Sequence, residues 1–195
     1  MIYTLPWKGM KPAHITQGFH EKHQGIDVAG ENPVLLRGYG VPLCAPENCR
    51  IERIIGDTFT PESHENLERG FGVWFTGLET GRVHVYWHTQ PILPVHGGQI
   101  VQRGKILAFM GNSGKVWSGG KPVPIDERSV KPYAGTHLHW EIYPQGHPVG
   151  FFGGKNRIDP QPLLNWNWQP QYGWGDLLAA YKTTLEKVSS VIQGG

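Results

Sequence analysis

Five of the ten histidines in this 195-residue chain fall in three short runs whose residue types could do chemistry: "HQGID" at 23–27, "HVYWH" at 84–88 and "THLHWEI" at 136–142. In a β-strand, residues two apart share a face, so His137 and His139 aim the same way while Thr136, Leu138 and Trp140 face the other side. Such a pair either holds a metal ion or consists of two hydrogen-bonded core histidines. "HQGID" places an imidazole and a carboxylate four residues apart around Gly25, whose backbone freedom lets the two side chains converge. Zinc accepts such donors at about 2.0–2.2 Å in a tetrahedral set, and a catalytic zinc takes three protein ligands plus water. His23, Asp27 and one histidine of the His-x-His pair would complete that set. In "HVYWH", read as a strand, His84, Tyr86 and His88 share a face. An imidazole facing a metal from a neighbouring strand could take a proton from water or steady an oxyanion. The other reading puts both histidines on a solvated strand face; it is expected for His84, and for His88 the two readings stay open at this point. His20 rivals His23 as a ligand, whereas His14, His64, His96 and His147 are expected to face solvent. Glu141 lies on the face of His137 and His139, either as an acceptor orienting His139 or at a solvated strand end.

These runs need elements to position them. "THLHWEIY" alternates as a strand, and "GVWFTGL" and "RVHVYWH" form a hairpin turning at Glu79-Thr80-Gly81. Residues 15–29 read as a loop closing into a short strand at Ile26–Ala29. Residues 40–55 read as a second hairpin around "CAPENC", and short strands are expected at 99–101 and 105–110. Residues 56–70 and 111–135, rich in polar and turn residues, read as long loops. From Asp176 to Ile192, Leu177, Leu178, Tyr181, Leu185, Val188 and Ile192 recur at three- and four-residue steps, as one helix face does. Asp176 suits the N-cap or first turn and Gly194 the stop.

Composition bounds the function. With 27 Gly, 16 Pro, 8 Trp and 17% charged residues, the chain reads as a turn-rich, mostly β protein. A net charge of +2 with no Lys/Arg cluster gives no reason to expect a nucleic-acid partner. No run approaches the length of a membrane-spanning helix. The two cysteines, Cys44 and Cys49, are either a disulfide at a hairpin base or two packed thiols.

Taken in order, "ITQGFHEKHQGIDVA", "VYWH" and "GTHLHWEI" resemble the lysostaphin/LytM-type zinc endopeptidases of peptidoglycan. "GVPLCAPENCRIERI", "GGQIVQRGKILAFMGNSG" and "NRIDPQPLL" extend the resemblance over residues 14–165. The resemblance implies a mostly β, antiparallel sandwich-like domain of the duplicated hybrid motif type, here with long loops and one C-terminal α-helix. It implies that His23, Asp27 and His139 are zinc ligands and that His88 and His137 are the metal-free catalytic histidines. One of those two would help deprotonate the water, and the pair would stabilise the tetrahedral intermediate and protonate the leaving amine. The implied substrate is bacterial peptidoglycan, cut in a stem peptide or cross-bridge by a monomer. The alternative is a non-enzymatic wall-binding or regulatory domain of the same fold with a structural metal.

Two departures from the family pattern stand out. Trp87 occupies a position usually held by a small residue, so it either reshapes the groove or packs outward. Residues 115–134 form a long insertion ahead of His-x-His, expected to wall the substrate groove. Trp166, Trp168 and Trp174 are expected in a seam between residues 1–172, the enzymatic unit, and a helix over 173–195; a sugar-stacking platform is their other reading. The N-terminal run "MIYTLPWKGM" lacks the pattern of a secretory signal. A wall hydrolase of this kind is then expected to be a phage lysin or a virion component.

Overall fold

The computed structural model describes residues 3–30, 38–55, 68–131, 133–151 and 156–193. Most of the 56–70 segment, with His64, and Gly194 lie outside these residues.

Eleven strands are described: β1 Ile15–Gln17, β2 Ile26–Val28, β3 Pro42–Cys44, β4 Cys49–Ile55, β5 Gly72–Gly77, β6 Val83–Trp87, β7 Ile100–Val101, β8 Ile106–Phe109, β9 Trp117–Ser118, β10 Lys121–Pro122 and β11 Leu138–Tyr143. The α-helices described are α1, Ile125–Val130, and α2, Trp174–Gln193. Seven strands form one sheet in the order β1-β2-β11-β6-β5-β4-β7, while β3–β8 and β9–β10 form separate two-stranded sheets. Every named pairing is antiparallel. The mostly β, antiparallel reading therefore holds.

Alternation explains the main core. Leu138, Trp140 and Ile142 of β11, Tyr86 of β6, Val73 and Phe75 of β5 and Ile26 and Val28 of β2 turn to one face and are buried. There they meet Leu43 and Ala108 of the β3–β8 sheet and Tyr3, Leu5 and Trp7 of the N-terminal segment. The opposite face carries a smaller cluster of Trp74, Val83, Val85, Trp87 and Tyr143. Outside the β3–β8 sheet, Cys44, Ile106 and Phe109 receive Leu177, Ala180 and Tyr181 of α2, with the Tyr181 ring stacked 4.5 Å from that of Phe109.

Several expectations are corrected. Residues 40–55 are not a hairpin: β3 pairs with β8 and β4 with β5 and β7, so the turn between them crosses from one sheet to the other. Of the two readings open for Cys44 and Cys49, the structure takes the second: they are free, buried thiols; burial raises both, Cys49 to about 12, which keeps them protonated and inert. Residues 15–17, read as loop, form an edge strand on β2. The 111–135 segment is not plain loop, since it holds the β9–β10 hairpin and α1. Leu177 and Tyr181 pack, but Leu178 and Leu185 of the expected apolar stripe are exposed; the side chains of Val188 and Ile192 fall outside the described residues. Trp166 packs on the core, while Trp168 and Trp174 are exposed rather than sealed in a seam. Arg103 lies 4.8 Å over the Trp168 ring.

His84 is also corrected. It is fully buried, its Nε2 3.2 Å from Glu47 Oε1, and Trp140 Nε1 donates to its Nδ1 at 3.3 Å. Glu47 further accepts from the backbone of Glu79 and Thr80, tying the β5–β6 turn down. A histidine on the core face of a buried sheet is stable there because both ring nitrogens have partners.

Candidate metal and catalytic site

Three adjacent strands bring the site together. In register, Asp27 of β2 lies opposite His139 of β11, which lies opposite Trp87 of β6. These three side chains form one row on the face away from the main core. His23 joins from the turn before β2, which is closed by reciprocal backbone bonds between His20 and His23 of 2.9 Å each.

Donor atoms converge in this row. His23 Nε2 lies 3.1 Å from Asp27 Oδ1, His139 Nδ1 lies 2.6 Å from the same oxygen, and the two nitrogens are 3.2 Å apart. Tetrahedral ligands at zinc distances would stand about 3.3 Å apart, so the set is tight but close to that spacing. Tautomers sharpen the fit. Gly18 O, 3.0 Å from His23 Nδ1, can only accept, which puts the His23 proton on Nδ1 and leaves Nε2 bare. Glu141 Oε1, 3.1 Å from His139 Nε2, does the same for Nδ1 of His139. Two lone pairs and a carboxylate thus face one point, and that arrangement calls for positive charge. A proton on His139 satisfies only the contact to Asp27; a metal cation satisfies all three donors. Among the described residues, His23, Asp27 and His139 form the group able to hold a metal. His20, the rival, is exposed, and its Nε2 meets Gln17 instead.

The electrostatics agree. Burial works to raise Asp27, but hydrogen bonds from His139 and His23 outweigh it and hold the carboxyl well below its ordinary range. Glu141 is 2% exposed, so it is no solvated strand end. Burial opposes its charge too, yet the His139 bond and Arg69 bring it down to about 2. Arg69 and Arg157 both ion-pair with it, and Tyr143 OH donates to its Oε2 at 2.6 Å. Nothing in the sequence pattern marks Arg69, Arg157 or Tyr143 as supports of the site; only Tyr143 shares the strand alternation of His139 and Glu141.

His88 arrives by a different route than alternation implies. Residues His84 and Tyr86 face the main core, and an unbroken strand would send His88 there too. Instead β6 ends at Trp87 and His88 takes φ 59°, a left-handed conformation uncommon outside glycine. That turn carries its ring to the site face, 4.5 Å from His137 and 6.3 Å from His139, centroid to centroid. Its Nδ1 donates to Ser113 O at 2.7 Å, and His137 Nδ1 donates to Gly135 O at 2.8 Å. Both rings therefore keep a bare Nε2, that of His137 3.9 Å from Asp27 Oδ1. Burial lowers both, His88 strongly, so each is a neutral base at neutral pH.

Gly25 matters for space rather than turning. A Cβ there would stand 2.7 Å from Trp140 O and 2.9 Å from His139 Cε1.

Two clefts flank the site. One of about 740 Å³ is lined by Gln17, Asp27, Tyr133, His137 and Trp117, among others. The other, about 390 Å³, is lined by Arg69, Trp87, His88, Lys115 and His139, with Trp117 again on its wall. The 115–134 insertion thus walls both clefts. Trp87 packs in the site-face cluster and lines the second cleft, so its ring shapes the groove.

No protein-family model and no curated protein matches the sequence, but solved structures match the fold. LytU superposes with a TM-score of 0.52 at 22% identity, over 79% of this chain and 86% of that one. A zinc-containing peptidase from Vibrio cholerae superposes with a TM-score of 0.51 at 17% identity, over 82% of this chain and 39% of that one. The chain has the lysostaphin/LytM fold. Helicobacter pylori Csd3 shares it, with a TM-score of 0.50 at 15% identity over 100% of this chain and 42% of that one. The chain therefore spans most of LytU but less than half of the other two. The row from Asp27 to Trp87 crosses the second, third and fourth strands of the large sheet, open to both clefts.

Proposed function

We infer that the chain is a zinc-dependent endopeptidase acting on peptide bonds of bacterial peptidoglycan, in a stem peptide or a cross-bridge. One observation carries the reading: three acceptors converge on a single point with two neutral, bare imidazole nitrogens beside it. A binding module with a structural metal would need the three donors but not the two free bases. The fold shared with a zinc-containing peptidase supports the reading.

In this reading His23, Asp27 and His139 hold the ion, which supplies Lewis acidity toward water and toward the scissile carbonyl. Glu141 fixes the His139 ring and, held by two arginines, keeps it electron-rich. One of His88 and His137 accepts the water proton at Nε2, and the imidazolium so formed steadies the developing oxyanion and then gives that proton to the leaving amine. Their Nδ1–H groups stay on backbone carbonyls throughout, which keeps both reactive nitrogens aimed into the groove. Site of action is the bacterial cell wall; the reading requires no nucleic acid, no membrane insertion and no second copy of the chain.

The test is digestion of purified peptidoglycan of several wall chemistries, with mass analysis of the fragments. Zinc-loaded protein should release new amino termini; chelated protein and His88→Ala should not. Intact walls after treatment with the zinc-loaded protein, together with retained wall binding, would favour the binding-module alternative.

A further inference from the structure

The insertion ahead of His-x-His does more than wall the groove. Ser113, whose carbonyl takes the Nδ1–H of His88, is held on every side. Its Oγ accepts from Phe71 N at 2.8 Å and donates to Thr89 O at 2.9 Å, bracketing His88 in space. The carbonyls of the residues before and after it belong to one guanidinium. Arg128 of α1 donates from Nη1 to Asn112 O at 2.8 Å and to Gly114 O at 2.7 Å. From Nε and Nη2 it donates to Val123 O at 3.2 and 3.0 Å. One planar group thus joins the β10–α1 connection to both flanks of the Ser113 peptide. Lysine, with a single ammonium, could not span three carbonyls in this fork geometry.

His88 needs such support. Its left-handed backbone leaves the strand ladder, and its ring is anchored through one carbonyl, that of Ser113. If the 112–114 segment shifts, the Nδ1–H loses its acceptor, and the proton can move to Nε2, the nitrogen that must stay bare to accept one from water.

We propose that Arg128 is a positioning residue for His88: by clamping the carbonyls on both sides of Ser113, it fixes the tautomer and aim of the proposed catalytic imidazole. The proposal rests on the hydrolytic reading above, in which His88 moves a proton.

Its test compares wild type, Arg128→Lys, Arg128→Met and Glu127→Gln, all zinc-loaded. Glu127 sits on α1 with its side chain exposed, its Oε1 3.6 Å from Lys131 Nζ. Nitrogen NMR of isotope-labelled imidazoles reads the His88 tautomer, and cleavage of soluble wall fragments reads kcat and KM. Wild type and Glu127→Gln should show an exchange-protected Nδ1–H on His88. Both Arg128 variants should bind one zinc as wild type does, lose that protected proton, and drop in kcat about 10- to 100-fold with KM changed no more than about twofold. Arg128 variants with wild-type kcat and an intact Nδ1–H signal would overturn the proposal. So would a wild type in which His88 carries its proton on Nε2, a result that needs no variant to fold. A wild type that cuts nothing counts against the hydrolytic reading, and the ring signals then still decide whether Arg128 holds His88.

Discussion

Each histidine of the site has one nitrogen bound to an acceptor and the other directed to the centre. His23 leans on Gly18 O, His139 on Glu141, His88 on Ser113 O and His137 on Gly135 O. This sorting is what a binding and proton-moving site needs, because an imidazole with its proton on the wrong nitrogen neither ligates nor accepts. Replacing His88 by alanine is expected to lower kcat by about 10²- to 10⁴-fold while zinc per chain, measured by atomic absorption, stays at wild-type level. Asp27→Asn should instead lose the zinc. Burial lowers His88 and His137 below the ordinary histidine value, so both remain neutral bases through that range. The kcat/KM profile should therefore stay level as pH falls to about 6.5 and decline only below it; an acid limb centred above 7 would contradict these assignments. The five residues that the structure brings together were all candidates in the sequence, since their types and order carry the resemblance. The position of His88 was not, because a period of two puts it with His84 and Tyr86, and a single positive φ reverses that.

At the scale of elements, β11 is the spine. Along its site face His139, Glu141 and Tyr143 follow at every second residue, so the proposed ligand, its acceptor and that acceptor's donor are built by one strand's alternation. Arg69 and Arg157 then hold Glu141 from outside the strand. Glu141→Gln is expected to weaken zinc binding about 10- to 100-fold in a competitive chelator titration, with circular dichroism unchanged. Equal zinc affinity would show that His139 needs no charged acceptor. Gly25→Ala tests the close approach of β2's leading turn to β11: its Cβ would collide with His139 and the Trp140 carbonyl, so zinc affinity and thermal stability should fall together. The insertion carries the largest misreading of an element. Its Gly, Pro and Ser content reads as loop, yet short pieces of hairpin and helix form because Val116, Val123 and Ala134 bury one another and Arg128 satisfies the carbonyls of Asn112, Gly114 and Val123. Such local clusters leave no period in the sequence.

For the whole molecule, the large sheet separates two environments. Its core face takes the β3–β8 sheet and the N-terminal segment, and α2 closes the outer side of β3–β8 through Leu177, Ala180 and Tyr181, with Lys105 paired to Asp176 at 2.6 Å. Tyr181→Ala removes the ring stacked on Phe109 and should cost about 1–2 kcal/mol, read as a lower denaturant midpoint with wild-type zinc content. Buried neutral histidines also set the stability profile. His84, His88 and His137 are all lowered by burial, so as pH falls below about 6.5 the unfolded chain takes up protons before the folded one does. Stability is full above that value and lost below it, and the midpoint at pH 5.5 should lie below that at pH 7.5.

Residue type and alternation were enough to determine the strand class, the hairpin of β5 and β6, the burial of Leu138, Trp140 and Ile142, and the candidate donors, because each depends on chemistry or on a period of two along the chain. What sits beside what was decided by tertiary structure alone. The crossing of the chain between sheets after Cys44, the burial of His84 against Glu47, the arginines on Glu141, the turn of His88 and the clamp of Arg128 all join residues 16 to 72 positions apart or bend a single backbone angle. Contacts of that kind are chosen by the packing of the whole sheet, and no local pattern encodes them.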